Sequence, residues 1–281
     1  MSPYFRDLGD ALEWRARGET LRVEAWGPDA VRVRATPGGP LLDDLPTALL
    51  DTPPGGAKPQ VSIAEHHATL VNGAITVRID AHTEGRRTPE LVPSAGRLSF
   101  LRTDDGAELV AEQSAHFWWP GPRLATAAGN GYHRLEQRFR AYPGERLYGL
   151  GQHVHGLLDQ KGAVIDLVQR NGEVTIPLLV SDRGYGLLWN SPAIGRVELA
   201  ETGTRWVADS ARQIDYWVTA GQPADVLRRY ADATGHAPEL PEWATGFWQC
   251  KLRYRTQDEL LAVAREYRRR GLPLAVIVCD F

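Results

Sequence analysis

Cysteine is scarce in this chain: Cys250 and Cys279 are the only two in 281 residues. Two thiols cannot staple a disulfide scaffold, and their spacing matches no zinc motif. An excess of one charge is missing as well. With 32 basic and 35 acidic residues the formal net charge is -3. That balance leaves no electrostatic footprint for nucleic acid or an anionic membrane. No apolar run approaches the ~20 residues of a membrane span. The first ten residues lack the basic-then-apolar pattern of a secretory signal. These absences lead to the expectation of a reduced, cytoplasmic setting with no nucleic-acid partner, no membrane partner and no cofactor. Lysine is also rare: Lys58, Lys161 and Lys251 stand among the 32 basic residues. The arginine excess reads as a coding bias, although arginine surfaces favour bidentate contacts to acidic groups.

What is present is enough for a core. The chain is 43% hydrophobic, which excludes a disordered chain, and its length suits one large domain or two. Its first three-quarters read as strands and turns. Leu21–Ala25 and Val31–Ala35 alternate apolar and polar residues around Gly27-Pro28-Asp29, the pattern of a hairpin. Residues 36–60 are dominated by proline and glycine and read as a long loop. Asn72-Gly73 signals a tight turn before a strand marked by Ile75, Val77 and Ile79. Residues 98–102 and 107–111 flank Asp104-Asp105-Gly106 as a second hairpin. Leu135, Gln137 and Phe139 share one face of a further strand. Residues 174–180 and 184–190 flank Ser181-Asp182-Arg183 as a third hairpin. Residues 198–199, 205–208 and 214–219 complete the set. Many short strands separated by turn residues indicate an antiparallel β-sandwich.

After Gly221 the pattern changes. Pro223 suits a first helical position, Val226, Leu227 and Tyr230 form a helical stripe, and Gly235 ends it. Residues 237–241 make a stiff linker. Residues 246–250 then read as a short buried strand. Thr256-Gln257-Asp258-Glu259 is a capping box, and Leu260, Leu261, Val263, Ala264 and Tyr267 give the helix behind it an apolar face. Arg268 to Arg270 suit its C-terminal end, Gly271 its cap, and Pro273 stops it. Residues 274–278 form a near-continuous apolar strand of the kind found in sheets covered on both faces. The unit is βαβ, and two parallel strands with one helix cannot bury both faces of a sheet. The expectation is the front part of a larger α/β protein, or a chain completed by a homo-oligomeric or complementing barrel partner.

Few residues here suggest chemistry on their own. Asp43-Asp44 and Asp104-Asp105 fall in loop and turn sequence, where acids usually cap backbone N–H groups. His153-Val154-His155 would place two rings on one strand face, but a metal needs a third ligand that the sequence does not offer. His66-His67 point to opposite faces of a strand. Trp118-Trp119 and Trp248 are candidate platforms for the apolar face of a pyranose, against the commoner role of tryptophan in core packing. Tyr148-Gly149-Leu150-Gly151 lacks the residues of a phosphate loop, and its glycines read as permitting a tight chain path. No GxSxG occurs, and Cys250 and Cys279 read as buried packing residues. Asp280 ends a buried parallel strand, the edge where ligands bind in barrels and open α/β sheets. It reads equally as a sugar-hydroxyl acceptor or as a solvated strand end.

A family resemblance emerges from these segments in order. Residues 145–152 resemble the E-x-x-Y-G-L-G-E signature of glycoside hydrolase family 31, with Gln152 in place of the commoner glutamate. Residues 176–190 resemble its hairpin ending G-Y-G-x-x-x-N. Residues 223–235 and 238–243 are similar to its helix and its P-x-L-P-P-W linker. Residues 246–259 and 272–280 are similar to its first barrel strand and helix and its second strand. The resemblance implies a galactose-mutarotase-like β-sandwich followed by the first βαβ unit of a (β/α)8 barrel. It implies a retaining hydrolase of α-linked glucosides or xylosides that uses two aspartates, an α-glucosidase or α-xylosidase. Both aspartates lie on later barrel strands in the family, so no catalytic residue is assigned here, and the isolated chain is expected to be inactive. Asp280 matches the strand-two aspartate that binds sugar hydroxyls. Arg253 and Tyr254 lie where members place an aromatic residue near that sugar, and Trp248 precedes them. The loop 152–162 corresponds to an excursion that shapes specificity.

The expected organisation is a sandwich over 1–222, a helix and linker over 223–243, and the start of the barrel over 244–281. Two other classes of function compete. One is a non-catalytic carbohydrate-binding or partner-complementing sandwich module. The other is a mutarotase-type epimerase, which would need a histidine–glutamate pair that the sequence does not place.

Overall fold

A computed structural model describes residues 4–16, 18–82, 95–113 and 121–280. The chain divides into two compact units, Met1–Gly235 and His236–Phe281. The helix at 223–234, set apart from the sandwich in the sequence-based division, groups with the first unit.

Among the described residues the first unit holds three antiparallel sheets. The largest has eight strands, in the spatial order Phe5–Asp7, Ala11–Ala16, Glu19–Ala25, Ala30–Thr36, Ile214–Ala220, Tyr185–Trp189, Val174–Ser181 and Leu147–Gln152. A five-stranded sheet runs in chain order through Gln60–Ile63, His67–Asn72, Ile75–His82, Ala95–Arg102 and Glu108–Ala111. The other orders Arg123–Gly129, Tyr132–Phe139, Gly203–Ala211, Gly195–Ala200 and Val164–Leu167. All three sheets give side chains to one core, including Trp14 and Val33, Ile79 and Phe100, Trp206 and Phe139.

Period-two alternation sorts the large sheet's residues between two cores. Leu187, Trp189, Tyr216 and Val218 join the central core, while Leu188 and Trp217 lie in a second cluster with Val226 and Ala233 of the helix Pro223–Thr234. Pro223 opens that helix as expected, and Gly235 closes it at φ 101°. Its buried residues are Val226 and Ala233, whereas Leu227, read as part of the stripe, is exposed. Gly186 explains the close approach: a Cβ there would run into the Val226 side chain.

The glycine-rich segment 148–151 is a β-bulge. Gly149, Leu150 and Gly151 have φ of 99°, 67° and 96°, and the pairing register with Val174–Ser181 shifts between Gly149 and Gly151. A Cβ at either glycine would meet a backbone carbonyl, that of Leu178 or Val174. The bulge turns Leu150 fully into the core. Other signature residues are anchors. Buried Glu145 accepts hydrogen bonds from Ser181 Oγ at 2.7 Å and Tyr185 Oη at 2.9 Å. Asn190 Oδ1 accepts from Ala48 N at 2.9 Å and so holds the proline-rich loop.

The core also contains a charged cluster that the sequence did not reveal. Glu112 and Arg123 are ion-paired at 2.6 Å, and Glu112 further accepts from Leu98 N at 2.8 Å and Gln137 Nε2 at 3.0 Å. Burial pushes the Glu112 carboxyl up against the pull of Arg123. Removing one partner of such a pair strands a buried charge.

The second unit has one parallel pair, Trp248–Gln249 with Val276–Ile277, and the helix Gln257–Arg269. Thr256 Oγ1 accepts the Glu259 N–H at 3.1 Å, the expected cap. Glu259 reaches back one residue further than a capping box requires, accepting from Arg255 N at 2.8 Å. Gly271 N donates to Arg268 O at 3.1 Å and Leu272 N to Tyr267 O at 3.0 Å, a Schellman closure. The buried strands read from sequence are corrected: each ladder is two residues long, and Phe247 and Trp248 are about half exposed. One helix covers at most one face of the pair.

Candidate functional site

The parallel register is Trp248 opposite Val276 and Gln249 opposite Ile277. Both strands therefore finish at one edge, where Cys250 follows the first and Asp280 the second. Asp280 is exposed, and the Cys250 thiol lies 3.7 Å from its Oδ2. Val278 N donates to Gln249 O at 2.9 Å, extending the contact toward that edge. In parallel α/β folds the carboxyl edge of the sheet is where ligands bind.

The chain from Lys251 to Arg255 leaves this edge and enters the helix. Gln249 sets its path: Tyr267 Oη donates to Gln249 Oε1 at 2.6 Å, and Gln249 Nε2 donates to Cys250 O at 3.1 Å and Tyr254 Oη at 3.3 Å. Tyr254 is thereby held on the same edge as Asp280. Lys251 Nζ donates to Glu259 Oε1 at 2.6 Å and sits 5.6 Å from the centre of the Tyr254 ring. The Lys251 ammonium, with the Arg255 N–H, holds the Glu259 carboxyl below its ordinary value. Lys251, Leu252, Arg253, Arg255 and Glu259 line a groove. Trp248 is separate from that groove. Its ring stacks on Trp243 at 6.1 Å, and its Nε1 donates to Ala244 O at 3.2 Å. The arrangement offers hydroxyl acceptors, an aromatic ring and guanidinium donors to a polar solute.

Asp280 and Tyr254 are thus tied to the strand ends through Cys250 and Gln249, Arg253 lines the groove, and Trp248, on the first strand, has a half-exposed ring. Sequence reasoning missed the Lys251–Glu259 pair, because the capping box had assigned Glu259 a backbone role. The cysteines are also corrected: both are free and exposed, not buried. Each follows its two-residue ladder, beyond the paired strands.

Elsewhere the alternatives resolve into structure. Asp43 Oδ1 accepts from Arg34 at 2.5 Å, and Asp105 accepts from Ala107 N at 2.9 Å. The His153 and His155 rings stack at 5.7 Å in the turn after Leu147–Gln152 rather than along a strand. Among the described residues no group of three or more His, Cys, Asp or Glu side chains is placed to hold a metal. His153 does come within 4.0 Å of Glu173, a pairing the sequence did not place. Its Nε2 is 2.8 Å from Leu150 O, so this ring braces the bulge. Trp118 and Trp119 lie outside the described residues.

Comparison with known proteins adds the following. Residues 20–198 match the N-terminal galactose mutarotase-like domain of glycosyl hydrolase 31. Residues 237–281 match the glycosyl hydrolases family 31 TIM-barrel domain. An uncharacterized family 31 glucosidase, ORF2 of Pseudescherichia vulneris, is 38% identical over 277 residues, 97% of this chain and 52% of that protein. Alpha-xylosidase A of Aspergillus niger is 32% identical over 299 residues, 99% of this chain and 39% of its own length. A GH31 alpha-xylosidase from a soil metagenome, solved in complex with xylose, superposes with a TM-score of 0.86 at 40% identity, covering 99% of this chain and 41% of that one. The chain spans about half the length, or less, of these relatives.

Proposed function

We propose, from the premise that this chain belongs to glycoside hydrolase family 31, that it is the sandwich and first barrel unit of a retaining α-glycosidase acting on α-linked xylosides. One observation carries the reading: Asp280 lies 3.7 Å from Cys250 at the carboxyl edge of the parallel pair, and the chain bearing Arg253 and Tyr254 leaves that same edge, within the segment that matches the family's barrel domain. Asp280 accepts hydrogen bonds from sugar hydroxyls, and Tyr254 borders the ring. The attacking aspartate and the acid–base aspartate of the double displacement lie outside these 281 residues, on later strands of the whole protein. The xyloside assignment draws on the relatives named as xylosidases. α-Glucosides are the second reading, supported by the relative named as a glucosidase. The setting is cytoplasmic, where Cys250 and Cys279 stay reduced.

The test is hydrolysis of p-nitrophenyl α-xyloside and α-glucoside, followed by NMR of the released sugar. The whole protein is expected to turn over the xyloside faster and to release the α-anomer first. The 281-residue chain is expected to turn over neither. Turnover by the purified chain, or initial release of the β-anomer, overturns the reading.

A further inference from the structure

We propose that the groove lined by Lys251, Leu252, Arg253, Arg255 and Glu259 receives an anionic group on the glycoside, a carboxylate, sulfate or phosphate carried on its leaving-group side. The inference rests on the α-glycosidase reading and narrows its substrate class.

Three cations fall within five residues, 251 to 255, and they are not equivalent. Lys251 is committed to Glu259 at 2.6 Å. Glu259, the one acid lining the groove, uses its other oxygen on the Arg255 N–H at 2.8 Å. Among the described residues neither the Arg253 nor the Arg255 guanidinium makes a close ion pair, although, after Lys251, the Arg255 charge helps to hold the Glu259 carboxyl down. Several other arginines are paired, as Arg270 is with Glu266 at 2.6 Å in the same unit and Arg32 with Asp215 at 2.5 Å in the sandwich. The like charges of Arg253 and Arg255, two residues apart, repel. The segment is pinned on both sides, by Lys251–Glu259 and by the Thr256 cap. An oxyanion between the two guanidinium groups removes that repulsion and accepts planar, two-pronged hydrogen bonds.

Charge also sets the direction of binding. Asp280 stands on the same strand edge without lining the groove, so an anion is repelled from Asp280 and drawn toward the arginines. A neutral sugar at Asp280 and an acidic group beyond it satisfy both. Leu252, 79% exposed, supplies an apolar rim for the carbon skeleton between them.

The experiment compares two α-xylosides in the whole protein, one with a p-carboxyphenyl and one with a p-carbamoylphenyl aglycone. They match in shape and differ in charge. The expected kcat/KM ratio favours the carboxylate by about tenfold at low salt, from two exposed ion pairs. The ratio is expected to fall toward unity at about 0.5 M salt, where screening is short-ranged, and in the Arg253→Gln, Arg255→Gln double variant. Equal turnover of the two glycosides overturns the inference, as does a preference that survives both salt and the double substitution. A free-carboxylate preference that reappears with sulfated or phosphorylated aglycones identifies the shared oxyanion as the recognised feature. If neither glycoside is hydrolysed, the α-glycosidase reading falls and this inference with it.

Discussion

The two units of the chain cover their sheets to different extents. In the sandwich, residues on both faces of the eight-stranded sheet are packed: Tyr216 and Val218 join the central core, and Trp217 lies in the cluster with the helix Pro223–Thr234. Between 236 and 280 no residue is buried. Phe247, Trp248 and Leu272 are about half exposed, because one helix serves a parallel pair that needs cover on both faces. The difference separates two kinds of residue. Substitutions in the sandwich are expected to act on stability, and substitutions on the strand edge of the second unit on binding.

The strongest way to break that comparison is a matched pair of tryptophans. Trp206 is fully buried and stacks on Trp189 at 5.8 Å, so Trp206→Ala is expected to lower sandwich stability by about 3–5 kcal/mol in urea unfolding. Trp248→Ala is expected to cost under about 1 kcal/mol in the same measurement, as a half-exposed residue outside any core. Equal losses contradict the comparison. A smaller effect is expected at Gly186, where an added methyl meets Val226. Gly186→Ala is expected to cost about 1–3 kcal/mol through overpacking of the helix on the sheet.

Smaller again is the helix cap of the second unit. Thr256→Ala removes the acceptor of the Glu259 N–H and is expected to cost about 1 kcal/mol of local helix stability. Hydrogen exchange within Gln257–Arg269 reads this directly, and the sandwich midpoint in urea is expected to stay fixed. The least effect is expected from acid. Arg205, then Arg196, hold the Glu198 carboxyl down at about 2, from an ordinary value of 4.5. Its contribution is complete above pH 4.5 and is lost as the pH falls toward 2. Urea midpoints at descending pH are expected to drop in that window, and less so in Glu198→Gln. A midpoint equally steep in both excludes Glu198 as a source.

The sequence showed the hairpins clearly because their alternation and turns are local. Leu21–Ala25 and Val31–Ala35 pair within the strands Glu19–Ala25 and Ala30–Thr36. The strand Ala11–Ala16 was overlooked although its signal is present: Leu12, Trp14 and Ala16 alternate with Glu13 and Arg15, which pair with each other at 2.7 Å. Arg123–Gly129 was missed because its small, exposed residues leave no periodic signal. The buried Glu112–Arg123 pair is legible only in three dimensions, as Glu112 follows the strand Glu108–Ala111 of one sheet and Arg123 opens a strand of another. On the candidate site, Asp280 was legible from strand polarity. The groove that Arg253 and Arg255 line was not, because sequence does not say which acid pairs with which base.

The role proposed for Asp280 is that of a sugar-hydroxyl acceptor at the carboxyl edge of the parallel pair. The most direct measurement is kcat/KM of Asp280→Asn in the whole protein on an aryl α-xyloside, with the unfolding midpoint recorded alongside. Loss of a charged acceptor is expected to lower kcat/KM by about a hundredfold and to leave the midpoint unchanged. An unchanged kcat/KM at an unchanged midpoint contradicts the account.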